Sequence, residues 1–278
     1  MSGGEAQGGA AGIGAAAGSS AAAGSSGGAR PLAGRAALVT GAGKGLGRAI
    51  AHGLAEAGAD VVLVARTRAD LETVAREVEA RGSRACVAVA DVTDSAQIAA
   101  AVDAALAAFG RIDVLVNSAG GSLRKPTLDI GDDEWDRVIA ANLSSTFKVC
   151  RAVGRQMAAQ RSGSIINIAS TAGVRGRAGN APYSAAKAAV INFSRAIAME
   201  WAPNGVRVNV LAPGRFLTPL TEAEMSVPEK YAAFVRQVPL GRIGRPEEIK
   251  EIAVWLAGDA SAFVTGSVIT LDGGQTLA

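Results

Sequence analysis

Between residues 35 and 271, short β-branched and aliphatic runs alternate with longer segments in which apolar residues recur every three or four positions. The short runs predict strands at 35–40 (RAALVT), 60–65 (DVVLVA), 84–89 (RACVAV), 112–117 (IDVLVN), 164–169 (SIINIA), 206–211 (VRVNVL) and 267–271 (SVITL). The longer segments predict helices over about 45–57, 68–80, 94–109, 132–160, 181–202 and 246–257, with a shorter one inside 219–236. Thr93-Asp94 and Gly131-Asp132 stand where two of these helices should begin. The strands show little polar alternation, so both faces of each are expected to be covered, as in a parallel sheet packed between helices.

Strand–helix repetition with right-handed crossovers predicts an α/β fold: a doubly wound, Rossmann-type parallel sheet of about seven strands flanked by helices. The pattern runs without a break, so residues 34–278 are expected to form a single domain. Residues 1–33 are different: 26 of the 33 are Gly, Ala or Ser, and the only charges are Glu5 and Arg30. So little large apolar surface cannot offset the entropy of ordering a backbone, and a disordered tail is expected. The segment lacks the basic start and Leu/Val density of a secretory signal and the repeated arginines of a mitochondrial presequence.

Composition narrows the chemistry. Of 278 residues 49% are apolar, ample for a core, and no run approaches the length of a membrane span. One histidine, His52, and two cysteines, Cys86 and Cys150, disfavour histidine triads, thiolate metal sites and a disulfide framework, so no metal is expected. Low cysteine use agrees with a cytoplasmic protein. A net charge of +3 without a basic run, and only 4% aromatic residues, give no footprint for nucleic acid or membrane.

Thr40-Gly41-Ala42-Gly43-Lys44-Gly45-Leu46-Gly47 joins the first strand to the first helix. Glycines there let the backbone approach a pyrophosphate, and the helix N-terminus offers free N–H groups to it. An ordinary strand–helix turn is the rival reading. At the tip of the second strand, where NAD-selective folds place a carboxylate for the ribose 2′-hydroxyl, stands Arg66. Arg66 with Lys44 would suit a 2′-phosphate, so NADP(H) is expected over NAD(H), unless Arg66 is merely a solvated strand end. Asp91, after the third strand, is placed either to meet the adenine amino group or as a turn residue.

Tyr183 and Lys187, in NAPYSAAKAAV, are four apart at a helix start and so share a face. At a separation of ~5 Å and an effective dielectric of ~20, the ammonium would favour the phenolate by roughly 3 kcal/mol, moving the phenol from ~10 towards ~8, the poise of a general acid/base. Ser170, just past the strand SIINIA, stands where sites of open α/β sheets lie and can hold a carbonyl or alcohol oxygen, or can simply close a turn. Asn142, in AANLSSTF, is a polar residue in an apolar helix, where a helix–helix hydrogen bond is the rival reading.

Together these segments resemble the short-chain dehydrogenase/reductase family: TGAGKGLG at 40–47, DVTD at 91–94, VNSAG at 116–120, Asn142, Ser170, YSAAK at 183–187, APG at 212–214 and LDGG at 271–274. The resemblance covers residues 34–278. It implies Tyr183 as acid/base, Lys187 as the group that lowers its pKa and binds the nicotinamide ribose, Ser170 as the residue polarising the carbonyl, and Asn142 as support for a water and proton relay. It also implies that Gly41, Lys44, Gly45, Leu46, Gly47, Arg66, Asp91, Val92, Asn117, Ala119 and Gly120 hold the cofactor, with Tyr183 and Lys187, and that Pro213, Gly214, Phe216 and Thr218 lie on its nicotinamide side. Ser118 replaces a frequent Asn, and Phe216 stands where a branched aliphatic is usual.

The implied activity is NADP(H)-dependent interconversion of a ketone and a secondary alcohol. The segments RKPTLDIGDDEWDRVIAANL and GRIGRPEEI resemble both gluconate 5-dehydrogenase-like members, which would make the substrate a sugar acid or polyol, and 3-oxoacyl-carrier-protein reductases. A non-catalytic NADP-binding regulator is the reading of another class, disfavoured by the intact Ser170, Tyr183 and Lys187. Specificity is expected in 120–127, 171–180 and 215–240, where Arg124, Lys125, Arg175, Arg177 and Arg215 suggest an anionic substrate or solvated surface charges. Family members usually form homotetramers, and a tetramer or dimer built on the Tyr183 helix, the long helix before it and the C-terminal strand is expected.

Overall fold

The computed structural model describes Met1, Gly3 and residues 30–278 of the chain. Seven parallel strands, β1 (Ala36–Thr40), β2 (Asp60–Ala65), β3 (Ala85–Val89), β4 (Val114–Asn117), β5 (Gly163–Ile168), β6 (Val206–Pro213) and β7 (Val268–Leu271), lie in the order β3-β2-β1-β4-β5-β6-β7. Chain order reverses beside β1, which pairs with both β2 and β4. That switch point opens a crevice at the carboxyl ends of the strands.

Helices cover both faces. Apolar side chains of α1 (Gly45–Glu56), α2 (Arg68–Glu79) and α10 (Pro246–Ala257) pack on one side with Val39, Val61, Leu63 and Val116. On the other side α3 (Ser95–Phe109), α5 (Ser145–Gln160) and α7 (Ala181–Trp201) pack with Leu38, Val62, Leu115 and Ile165. Neighbouring residues of a strand thus enter opposite cores, which explains why the strands lack polar alternation. Asp94 caps α3, its Oδ1 accepting from the N–H of Ala96 at 2.8 Å and of Gln97 at 3.3 Å.

The helix expected over 132–160 is three pieces: α4 (Asp132–Ile139), a π-turn at Ala140–Ser144, and α5. Side chains explain the interruption. Asn142 Nδ2 donates to the Val138 carbonyl, and the Ser145 and Thr146 hydroxyls donate to the carbonyls of Ala141 and Asn142, so side chains serve carbonyls that a regular helix would bond through its backbone. A short α6 (Thr171–Val174) follows β5. The helix expected within 219–236 is two, α8 (Pro219–Met225) and α9 (Pro228–Val235), divided at Pro228.

Most of the tail expected over 1–33 lies outside the described residues. Residues 30–33 belong to the body. Leu32 is fully buried and its N–H donates to the Ala57 carbonyl, while Arg30 donates to the Ala55 carbonyl at 2.6 Å and to Ser83 Oγ at 3.0 Å. One large apolar side chain and one guanidinium thus find partners that composition could not show.

Candidate active site

A cleft of about 1290 Å³ runs along the carboxyl ends of the strands, from the β1–α1 turn to α8. Its floor at one end is the glycine turn. Gly41 has φ +66°, and a Cβ on it would meet the Ala119 backbone at 2.9 Å; a Cβ on Gly47 would collide with the Gly41 carbonyl. Gly45, Leu46 and Gly47 bring the N-terminus of α1 to this wall. A turn packed so tightly that Gly41 and Gly47 admit no Cβ, beside an amino-terminal helix end, fits the pyrophosphate of a dinucleotide.

Farther along lie Arg66, Asp91 and Val92. Arg66 is exposed and has no hydrogen-bond or ion-pair partner among the described residues. Lys44 has a partner that the sequence did not suggest: its ammonium is 3.1 Å from the carboxylate of Asp70, in the first turn of α2, so an acidic group does stand at this end of the cleft. Asp91 serves the turn. Its Oδ1 accepts from the N–H and hydroxyl of Thr93 at 2.8 and 2.7 Å, and these bonds hold its carboxyl below the usual range.

Ala119, Gly120, Pro213, Gly214, Phe216 and Thr218 also line the cleft. Asn117 is placed elsewhere. It is buried, and its Nδ2 donates to Asn167 Oδ1 at 2.8 Å and to Cys150 Sγ at 3.2 Å, inside the sheet. The last residue of β4 points into the helix-covered face, and the cleft begins one residue later at Ser118.

Asn142, Ser170, Tyr183 and Lys187 meet at the middle of the cleft. Ser170 caps α6: its Oγ accepts from the Ala172 N–H at 3.1 Å, leaving its own proton to donate. It lies close enough to Tyr183 to favour the ionised phenol. Lys187 is buried, donates from Nζ to the Ile168 carbonyl at 2.8 Å and lies over the face of the Tyr183 ring, 5.6 Å from its centre.

The titration differs from the sequence expectation. Burial pushes the Tyr183 phenol above its ordinary value, against the opposing effect of Ser170, and burial alone brings Lys187 down to about 8. Desolvation disfavours the charged form of both groups and outweighs the attraction of a nearby ammonium for a phenolate.

Asn142 is fully buried and its amide is engaged. Nδ2 donates to the carbonyls of Gly121 at 2.8 Å and Val138 at 2.9 Å, and Oδ1 accepts from the Gly121 N–H at 3.3 Å. The side chain clamps the 120–121 loop to the π-turn. A Cβ on Gly120 would be 2.5 Å from Asn142 Oδ1, so the approach requires glycine.

The five basic residues of the specificity segments separate. Lys125 pairs with Glu134 at 2.7 Å, and Arg175 donates to the carbonyls of Gln275 and Ala278. Arg124, Arg177 and Arg215 line the cleft, with Arg137 and Glu224, which sequence reasoning did not single out. Glu224 is 100 residues from Arg124, with which it pairs at 2.8 Å; no local pattern carries that signal.

A family model described as enoyl-(acyl carrier protein) reductase matches residues 41–276. The chain belongs to the short-chain dehydrogenase/reductase family. This dehydrogenase/reductase is 41% identical to a 2-dehydro-3-deoxy-D-gluconate 5-dehydrogenase of Pseudoalteromonas atlantica, over 87% of this chain and 96% of that protein. It is 39% identical to the 3-oxoacyl-[acyl-carrier-protein] reductase FabG of Thermotoga maritima, over 88% and 99%. A solved gluconate 5-dehydrogenase of Burkholderia cenocepacia, in complex with NADP and tartrate, matches with a TM-score of 0.86 and 40% identity, over 90% of this chain and 98% of that one. The short-chain dehydrogenase/reductase described here is an oxidoreductase of CH–OH and carbonyl groups that uses a nicotinamide cofactor. No helix among the described residues is long and apolar enough to cross a membrane.

Proposed function

We propose that the protein interconverts a ketone and a secondary alcohol on a sugar acid or polyol, with NADP(H) and with Tyr183 as the proton donor and acceptor. The observation that carries this reading is the meeting of Tyr183, Ser170 and Lys187 in the cleft that also holds the glycine cradle. When bound, the cofactor supplies or accepts the hydride at the substrate carbon.

In reduction, Tyr183 gives its phenolic proton to the oxygen that gains negative charge. A phenol held protonated by burial suits that direction. Ser170, its lone pair engaged by Ala172, directs its O–H at the same oxygen. Lys187 keeps one N–H on the Ile168 carbonyl and has further donors for ribose hydroxyls. Oxidation runs the same proton path in reverse. Arg66 and Lys44 would receive the 2′-phosphate that separates NADP from NAD.

The gluconate-type substrate is supported by the dehydrogenases named above, one of them described with tartrate. The FabG relative supports a second reading, reduction of a 3-oxoacyl thioester on a carrier protein. The experiment is NADPH oxidation with 5-keto-D-gluconate, acetoacetyl thioesters and neutral ketones, for wild type and Tyr183→Phe. The variant should lose about a hundredfold or more in kcat while binding NADPH normally. Equal rates for the two proteins would remove Tyr183 from the mechanism.

A further inference from the structure

The two ends of the cleft differ in charge. At the end with the glycine turn, bases meet acids: Lys44 pairs with Asp70 at 3.1 Å, and the charge of Arg66 reaches Asp91. Elsewhere on the wall, Arg124, Arg177 and Arg215 gather around Glu224, the one acid among the described residues that meets them.

Glu224 is fully engaged by two of the three. Its Oε1 accepts from Arg124 at 2.8 Å, and its Oε2 accepts from Arg124 at 2.9 Å and from Arg215 at 2.6 Å. Arg215 is buried, so it contributes charge but no donor that a ligand could reach.

Arg177 is left over. It lines the cleft, is exposed, and has no hydrogen-bond or ion-pair partner among the described residues. Its guanidinium lies 5.3 Å from the centre of the Phe234 ring, and Phe234 is buried in an apolar cluster with Met225 and Ile243. A contact with a ring face places the group without using its N–H donors. The backbone is placed as well. The Asn180 N–H donates to the Arg177 carbonyl at 3.2 Å, and the Lys125 N–H donates to the Gly179 carbonyl at 3.0 Å. The second bond ties the loop of Arg177 to the loop of Arg124 and so brings two like charges together.

Water reaches Arg177, but the concave wall removes part of its hydration. That loss and the charge of Arg124 hold it below the usual arginine range, and Glu224 offsets only part of the effect. An arginine still carries its charge at neutral pH. A charge that is accessible, incompletely hydrated and crowded by another of its own sign gains most from an incoming anion.

Resting on the proposed keto-polyol reductase reading, we infer that Arg177 is a specificity-determining residue that receives a carboxylate carried by the substrate on its unused N–H donors. Arg124 and Arg215 add positive potential, and Glu224 occupies Nη1 of each, so the anion is drawn to Arg177. Tyr183 lines the same cleft, and the ligand is a small hydroxy or keto acid whose carboxylate lies apart from the reacting carbon.

The test is calorimetric binding of D-gluconate and of neutral D-gluconamide to the enzyme in saturating NADPH. Wild type should prefer the acid by about tenfold or more, the worth of one charge-assisted pair. Arg177→Gln should cut that preference to about twofold or less, and Arg177→Lys, which keeps the charge but not the fork, should retain part of it. Arg175→Gln is the control for the general field of the loop: Arg175, two residues away, donates instead to the carbonyls of Gln275 and Ala278, and its loss should leave the preference in place. Equal affinity of wild type for acid and amide, failure of the acid to bind, an undiminished preference in Arg177→Gln, or an equal fall in Arg175→Gln overturns the inference. Its failure is separable from failure of the reductase reading: a wild-type enzyme that reduces neutral ketones through Tyr183 but does not distinguish acid from amide keeps the chemistry and loses the role of Arg177.

Discussion

Lys44 and Asp70 form an ion pair of 3.1 Å at the nucleotide end of the cleft, where a 2′-phosphate would need Lys44 free. Asp70 sits against the glycine turn: a Cβ on Gly43 would be 3.0 Å from its Cβ. The carboxylate thus competes with a phosphate for the same ammonium. Asp70→Asn should tighten NADPH by roughly two- to fivefold, the worth of a half-exposed pair, and change NADH less. Arg66→Asp should weaken NADPH by about tenfold or more. Fluorescence titration with both cofactors checks this, and equal changes for NADPH and NADH would remove the 2′-phosphate from the account.

Lys187 makes stability depend on pH in a defined direction. Its folded value of about 8 lies below its ordinary 10.5, so the unfolded chain binds the extra proton between the two. Its favourable contribution is therefore full above 10.5 and is lost as pH falls through 8. Relative to Lys187→Met, wild type should gain up to roughly 3 kcal/mol between neutral pH and pH ~10.5. Urea unfolding of both proteins across that range measures it; a difference flat in pH would contradict the burial argument.

Asn142 acts through the loop it clamps. Asn142→Ala removes the hydrogen bonds that tie the Gly121 peptide and the Val138 carbonyl to one side chain and should cost about 1–3 kcal/mol of stability. NADPH affinity should fall with it, since Gly120 and Gly121 line the cleft. Loss of kcat with stability and affinity unchanged would instead favour the relay role that the family resemblance implied.

Gly47 tests the cradle by sterics alone. Gly47→Ala drives a methyl into the Gly41 carbonyl, so the turn must open. Thermal unfolding should report a loss of about 1–3 kcal/mol, and NADPH binding should weaken in parallel. An unaltered NADPH affinity would show that the turn does not hold the pyrophosphate.

Much of the fold was legible because the signals are local. Apolar runs such as DVVLVA and the helical period of LETVAREVEA report burial on two faces and on one. The site was legible where several motifs keep register: the glycine turn, Ser170 and Y-x-x-x-K each sit at the carboxyl end of a predicted strand or at the following helix start. What failed involved competition between side chain and backbone, or between burial and charge. Asn142, Ser145 and Thr146 break a helix that the apolar period alone would continue. Tyr183 rises where a two-charge estimate lowers it.

The sequence by itself determined the strands, most helices, the doubly wound class and several residues that line one cleft, since hydrophobic period and motif order are properties of the chain. Only the tertiary structure decided that Arg30 and Leu32 belong to the body, that Asn117 faces the core, that Asp70 claims Lys44, and that Glu224 reaches back across 100 residues to Arg124 while it steadies Arg215. Those outcomes depend on which charged and polar groups are brought together and stripped of water, and that is set by packing between segments far apart in the chain.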